Sequence, residues 1–109
     1  MNRSRAVASL AALAQDTRLE AFRQLVQAGP EGLAAGELST RLGISPPALS
    51  FHLRGLAQAG LVRSRQQGRF VYYSAAYDAM QTLLDFLARN CCSGSKCAPA
   101  LQARLRRTA

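Results

Sequence analysis

The chain has 109 residues, enough for one domain with a single modest core and too few for a large buried enzymatic cavity. Its 14 Lys and Arg against 6 Asp and Glu give a net charge of +8 at pH 7, and all but one of those cations are Arg. Arg forks onto phosphate and guanine edges, so the balance points to nucleic acid, although a GC-rich coding sequence produces the same Arg bias.

The opening Met1-Asn2-Arg3-Ser4-Arg5, followed by Ala6 to Ala14, has the outline of a secretory signal with Ala12-Leu13-Ala14 as a cleavage-like end. Its apolar stretch is Ala-rich and only weakly hydrophobic. It reads instead as a first helix over 5–14, with Val7, Leu10, Ala11 and Ala14 on one stripe. No run is long and apolar enough to cross a bilayer, so the chain is expected in the cytoplasm, where thiols stay reduced.

Asp16 or Thr17 is an N-cap for a second helix over 17–28, whose Leu19, Phe22, Leu25 and Val26 follow the helical period. Gly29-Pro30 ends it, and 30–36 reads as loop. A short third helix over 35–42 carries Leu38 and Leu42 and closes at Gly43. Ser45-Pro46-Pro47 opens a fourth, with a capping Ser and Pro in the first turn, where no amide hydrogen is needed. Leu49, Leu53 and Leu56 form its inward stripe, and Gly60 ends it. Two helices joined by the tight turn Leu42-Gly43-Ile44-Ser45 match a helix-turn-helix.

Leu61 to Gln67 and Phe70 to Ser74 are extended runs around Gly68-Arg69, a β-hairpin wing with a basic tip. Residues 76–92 return to helix. Tyr77, Met80, Leu84, Leu87 and Cys91 lie on one stripe, and Leu83 and Phe86 widen it. So wide a surface covers its own domain and a partner. The division predicted is 1–92, a DNA-binding and dimerisation domain, and 93–109, a basic tail carrying the third cysteine. The fold class is mainly α (α+β): a winged helix-turn-helix of about five helices with one β-hairpin wing.

All three cysteines fall in Asn90-Cys91-Cys92-Ser93-Gly94-Ser95-Lys96-Cys97. Two adjacent thiols, with a third returned by a Gly-Ser turn, form a soft ligand set. Beside a DNA-binding module, they suggest a protein that reads a thiophilic ion and reports it to DNA.

Several separated motifs then carry a resemblance. Leu38-Ser39-Thr40-Arg41-Leu42-Gly43-Ile44-Ser45-Pro46-Pro47-Ala48-Leu49-Ser50-Phe51-His52-Leu53-Arg54-Gly55-Leu56, Ala59-Gly60-Leu61-Val62 and Gly68-Arg69-Phe70-Val71-Tyr72-Tyr73 resemble the ArsR/SmtB family of metal-sensing repressors. Asp16-Thr17-Arg18-Leu19 is similar to the family's usual lead-in to its second helix. The resemblance spans about residues 6–92. It implies a homodimer that represses a double-stranded DNA operator until ligand binds. The family's arsenic site in the third helix needs cysteines, and Gly36 to Leu42 has none. Its zinc site on the last helix needs His beside carboxylates, and here only Asp78 and Asp85 stand there. What remains resembles a subgroup of arsenic sensors with three cysteines at the end of the last helix, two of them adjacent.

Arsenite and antimonite are three-coordinate toward thiolates, which three cysteines without a fourth ligand suit better than tetrahedral zinc. Side chains of Cys91 and Cys92 on an intact helix diverge by about 100°. The helix is therefore expected to fray or turn at 90–92, letting Cys97 return. A methylated arsenical, with two exchangeable positions, needs only two thiolates. A thiol redox switch joining Cys97 to Cys91 or Cys92 is the rival chemistry.

For DNA, Pro47, Ser50, Phe51 and Arg54 lie opposite or beside the buried stripe of the fourth helix, and Ser45 caps it. Phe51 is expected exposed, where an apolar ring touches a thymine methyl. Ser50 and His52 match the family's Ser-x-His-Leu pattern, and His52 orients the helix or touches phosphate more readily than it reads a base. Arg63, Arg65 and Arg69 flank the wing near phosphates or the minor groove, unless merely solvated. The reading is a homodimeric repressor released by trivalent arsenic (arsenite) or antimonite at Cys91, Cys92 and Cys97. A redox- or persulfide-responsive repressor of the same fold and a small metallochaperone are its rivals. With one His, in a DNA helix, no enzymatic constellation forms.

Overall fold

The computed structural model describes residues 1–94, and Cys97 with the rest of the predicted tail lies outside them. Helix α1 (Arg3–Leu13) begins at Asn2, whose side chain accepts the Arg5 N–H at 2.9 Å. Ala6, Ser9 and Ala12 are its buried face, while Val7 and Leu10 point outward. Helix α2 (Asp16–Ala28) is capped by neither Asp16 nor Thr17. Gln15 takes extended backbone and curls its longer side chain back to the Arg18 N–H at 2.8 Å. Asp16 instead falls in the first turn, where its charge complements the helix dipole.

The stretch read as loop contains a two-residue strand, β1 (Leu33–Ala34), paired antiparallel to β3 (Phe70–Ala75) as Leu33↔Tyr73 and Ala34↔Tyr72. Gly32 makes the approach possible. Its φ is +76°, and a Cβ there would collide with the Tyr73 carbonyl. Two residues are too short to show alternation, which is why the pattern hid them.

Helices α3 (Ala35–Leu42) and α4 (Pro46–Gln58) meet at Gly43, whose left-handed φ of +67° turns the chain. The Ser39 hydroxyl donates to the Ile44 carbonyl and fixes this joint. Strands β2 (Val62–Gln67) and β3 (Phe70–Ala75) form the wing around Gly68-Arg69, and the sheet order is β1-β3-β2. The core under α4 joins Phe22 and Leu25 to Leu38, Leu49, Leu53, Leu56 and Leu61.

Helix α5 (Tyr77–Ala88) touches α1, Leu83 turned inward and Leu84 and Leu87 outward. The Tyr77 hydroxyl donates to the Val26 carbonyl at 2.9 Å and ties α5 to the end of α2. The helix ends at Ala88 rather than running to 92, and the turn expected at 90–92 follows it. Arg89 leaves helical backbone, Asn90 turns left-handed, and a 3-10 turn spans Cys91–Gly94. The architecture is the expected winged helix-turn-helix of five helices, with a third strand added to the wing.

Candidate nucleic-acid interface and thiol turn

The outward face of α4 is built by what its inward face buries. Leu49, Leu53 and Leu56 fill the core, which leaves Pro47, Ser50, Phe51 and Arg54 exposed. The Ser45 hydroxyl accepts the Ala48 N–H at 3.3 Å and holds the first turn. Phe51 is 64% exposed, in an environment that offers the ring no core to fill. It meets His52 edge-on at 5.5 Å. His52 itself is half-buried, with its Nδ1 buried and lacking a hydrogen-bond partner among the described residues.

The three wing arginines have different surroundings. Arg63 donates to both carboxylate oxygens of Asp78 at 2.8 Å, joining the base of the wing to the first turn of α5. This guanidinium holds the Asp78 carboxyl below the usual carboxylate value. Arg65 donates to the Glu31 carbonyl at 2.7 Å and covers the Tyr72 ring at 4.8 Å, so it also braces the loop before β1. Arg69 stands exposed at the tip of the hairpin. The sequence spacing named all three but gave no hint that Asp78 and Glu31 come within reach of two of them, because both partners lie on distant elements.

At the far end of α5, the left-handed turn changes the thiol geometry. Asn90, Cys92 and Ser93 all have φ between 55° and 57°. The Cys91 and Cys92 Sγ atoms consequently stand 3.7 Å apart, instead of diverging as on a helix. Two sulfurs bonded to one ion at ~2.3 Å stand roughly 3.3–3.8 Å apart for bond angles between a right angle and the tetrahedral value. The two thiols therefore fit a shared soft ion. Left-handed backbone is tolerated by Asn but costs roughly 1–2 kcal/mol at other residues with a Cβ, so the turn at Cys92 and Ser93 is not a relaxed helix end. Cys92 is exposed and Cys91 half-buried.

No described helix is long and apolar enough to cross a membrane. A helix-turn-helix domain family matches residues 13–65. The chain is 34% identical over 95 residues to the transcriptional activator HlyU of Vibrio cholerae, across 87% of this chain and 85% of that protein. It is 35% identical over 78 residues to the putative arsenical resistance operon repressor ArsR2 of Halobacterium salinarum, across 72% of this chain and 64% of that protein. Among solved structures, an ArsR-like transcriptional regulator from Rhodococcus sp. RHA1 superposes with a TM-score of 0.72 at 28% identity, covering 97% of this chain and 93% of that one. These relatives are transcriptional regulators, not enzymes.

Proposed function

The chain belongs to the ArsR family of winged helix-turn-helix transcriptional regulators, and we propose that it is a homodimeric, cytoplasmic repressor released from operator DNA by trivalent arsenic or antimony. Thiolates of Cys91, Cys92 and Cys97 hold the ion, and a methylated arsenical uses two of them. On the DNA side, Ser45, Pro47, Ser50, Phe51, His52 and Arg54 meet the major groove, and Arg69 reaches phosphate or minor groove from the wing. Arg63 and Arg65 support the wing from its base and keep exposed edges toward DNA.

The observation that carries the reading is the 3.7 Å approach of the Cys91 and Cys92 sulfurs in the turn after α5. A relative named for arsenical resistance adds support, while one named an activator means that the fold alone does not set the sign of regulation. The same approach favours one rival: a thiol redox or persulfide switch at these cysteines, which needs the thiols near each other and no ion.

Ion binding releases DNA only if it favours a dimer geometry in which the two recognition helices no longer match successive major grooves, since a ligand shifts an equilibrium by its differential affinity alone. The test is operator release from reduced, metal-free protein, titrated with arsenite, antimonite, zinc, cadmium and peroxide. Release by arsenite and antimonite, lost in the triple Cys→Ser variant, is the expected result. Release by arsenite from that triple variant would overturn the ion site, and release by peroxide alone would favour the redox rival. Metal-free protein that binds no duplex would favour a metallochaperone.

A further inference from the structure

The motif Asp16-Thr17-Arg18-Leu19 has no part in the DNA face described so far, yet Arg18 has the most unusual environment of any cation among the described residues. It stands in the first turn of α2, its backbone N–H held by Gln15 at 2.8 Å. Its side chain crosses to α4 and lies over Gly55. A Cβ at residue 55 would stand 3.0 Å from Arg18 Nη1 and 3.6 Å from Cδ, so the glycine leaves the slot that the guanidinium occupies. Arg18 Nε is buried without a hydrogen-bond partner among the described residues, and the side chain makes no ion pair among them.

The slot opens into a cleft of about 300 Å³ lined by Arg18, Phe51, Arg54, Gly55 and Gln58. On its other side Arg18, Gly55 and Gln58 line a second hollow, walled by the small residues Ala8, Ala11 and Ala12 of α1. Two guanidinium groups therefore line one cleft, and no carboxylate lines either hollow. A partly desolvated guanidinium with an orphan N–H is costly, and a second like charge beside it adds repulsion. An oxyanion between them relieves both at once, since Arg offers five donors in a fork.

The place of the cleft selects the oxyanion. It runs along the flank of α4 beside outward-facing Phe51. A helix with its side chains is about 10–12 Å across and the major groove about 12 Å wide, so the flanks of an inserted helix face phosphates. We infer that Arg18, with Arg54, clamps one backbone phosphodiester of the bound duplex, so that α2 contributes a sequence-independent DNA contact and Gly55 is the gap that admits it. This rests on the regulator reading above.

The test uses full-length reduced protein and fluorescence anisotropy on two labelled duplexes, an operator enriched from random sequence and a scrambled control, across a salt series. Arg18→Gln is expected to lose about tenfold in affinity on both duplexes and to lower the salt slope by about one ion, with an unchanged melting temperature. Arg18→Lys keeps the charge and is expected to retain the slope while recovering only part of the affinity. Gly55→Ala pushes against the flexible end of Arg18 and is expected to weaken both duplexes alike.

Unchanged affinity and slope in Arg18→Gln would overturn the clamp while leaving the regulator reading intact. So would an affinity loss that merely tracks a fall in melting temperature. Wild-type protein binding neither duplex would overturn both. Inorganic phosphate at constant ionic strength gives the last arm. If it competes with DNA through Arg18 while Arg18→Gln binds duplex normally, the cleft holds a free anion and the phosphodiester assignment fails.

Discussion

On the proposed reading, Phe51 and Arg69 make two different kinds of DNA contact. An exposed ring on the outward face of α4 has only base edges and methyl groups to meet in a major groove, whereas a cation at the wing tip meets charge that every sequence presents alike. Phe51→Ala or Ser50→Ala should therefore change sequence preference, while Arg69→Ala should weaken all duplexes equally and lower the salt slope. Binding-site enrichment with each variant checks this, and equal losses on specific and scrambled DNA for all three would contradict the assignment. Gly32 makes a stability prediction of a different kind. Its positive φ and its closeness to the Tyr73 carbonyl leave no room for a methyl, so Gly32→Ala should cost more than ~1 kcal/mol in a denaturant melt and detach β1 from the wing. The exposure of Phe51 was legible from sequence, because Leu49, Leu53 and Leu56 fix which way α4 faces. The half-buried setting of Arg18 was not, because it depends on a missing Cβ at residue 55 on another element.

Among the elements, the helices were readable from their apolar period and the wing from its Gly-Arg tip, while β1 was not, and the break after α5 was legible from the thiols, at 90–92, rather than from the helical period. The period of α5 continues through Cys91, but Arg89 and Asn90 break the backbone first. On the proposed reading, that break sets the thiol chemistry. Two neighbouring sulfurs without Cys97 suffice for a methylated arsenical with two exchangeable positions. Cys97→Ser should therefore keep operator release by the methylated species and lose the response to arsenite. Equal loss of both responses would show that the pair is not a site by itself. At the other end of α5, the Arg63–Asp78 pair links the wing to the helix that leads into the thiol turn. Its hydrogen bonds from Arg63 lower the Asp78 pKa in the folded state. The pair's contribution is thus present above the ordinary carboxylate value of about 3.9 and is lost as pH falls through the lowered one. Asp78→Asn should remove that part of the acid dependence of the melting temperature. Both groups are exposed, so the effect should be small and should shrink with salt.

At the scale of the whole molecule, the described residues leave apolar surface that they do not cover themselves. Val7 and Leu10 on α1 and Leu84 and Leu87 on α5 are exposed, and the two helices are in contact. Leu87 is 57% exposed and Val7 58%. Close by, a hollow of about 370 Å³ between α2 and α5 is lined by Leu13, Leu19, Phe22, Val26, Met80 and Leu84. Apolar patches of this kind on a small domain mark an interface. A second copy is the economical occupant, because two-fold symmetry doubles each contact and sets two recognition helices at a fixed spacing. Leu87 stands on the outward stripe and away from the DNA face of α4, so a charge there attacks the interface without entering the core. Leu87→Glu should turn a dimer into a monomer in sedimentation at micromolar concentration, with the single domain still folded by circular dichroism. It should also weaken operator binding far more than binding of one half-site, because only the dimer gains from the second contact. A Leu87→Glu variant that stays dimeric would place the interface elsewhere, a wild-type chain that sediments as a stable monomer would leave none, and either would remove the proposed route from the thiols after α5 to the spacing of two recognition helices.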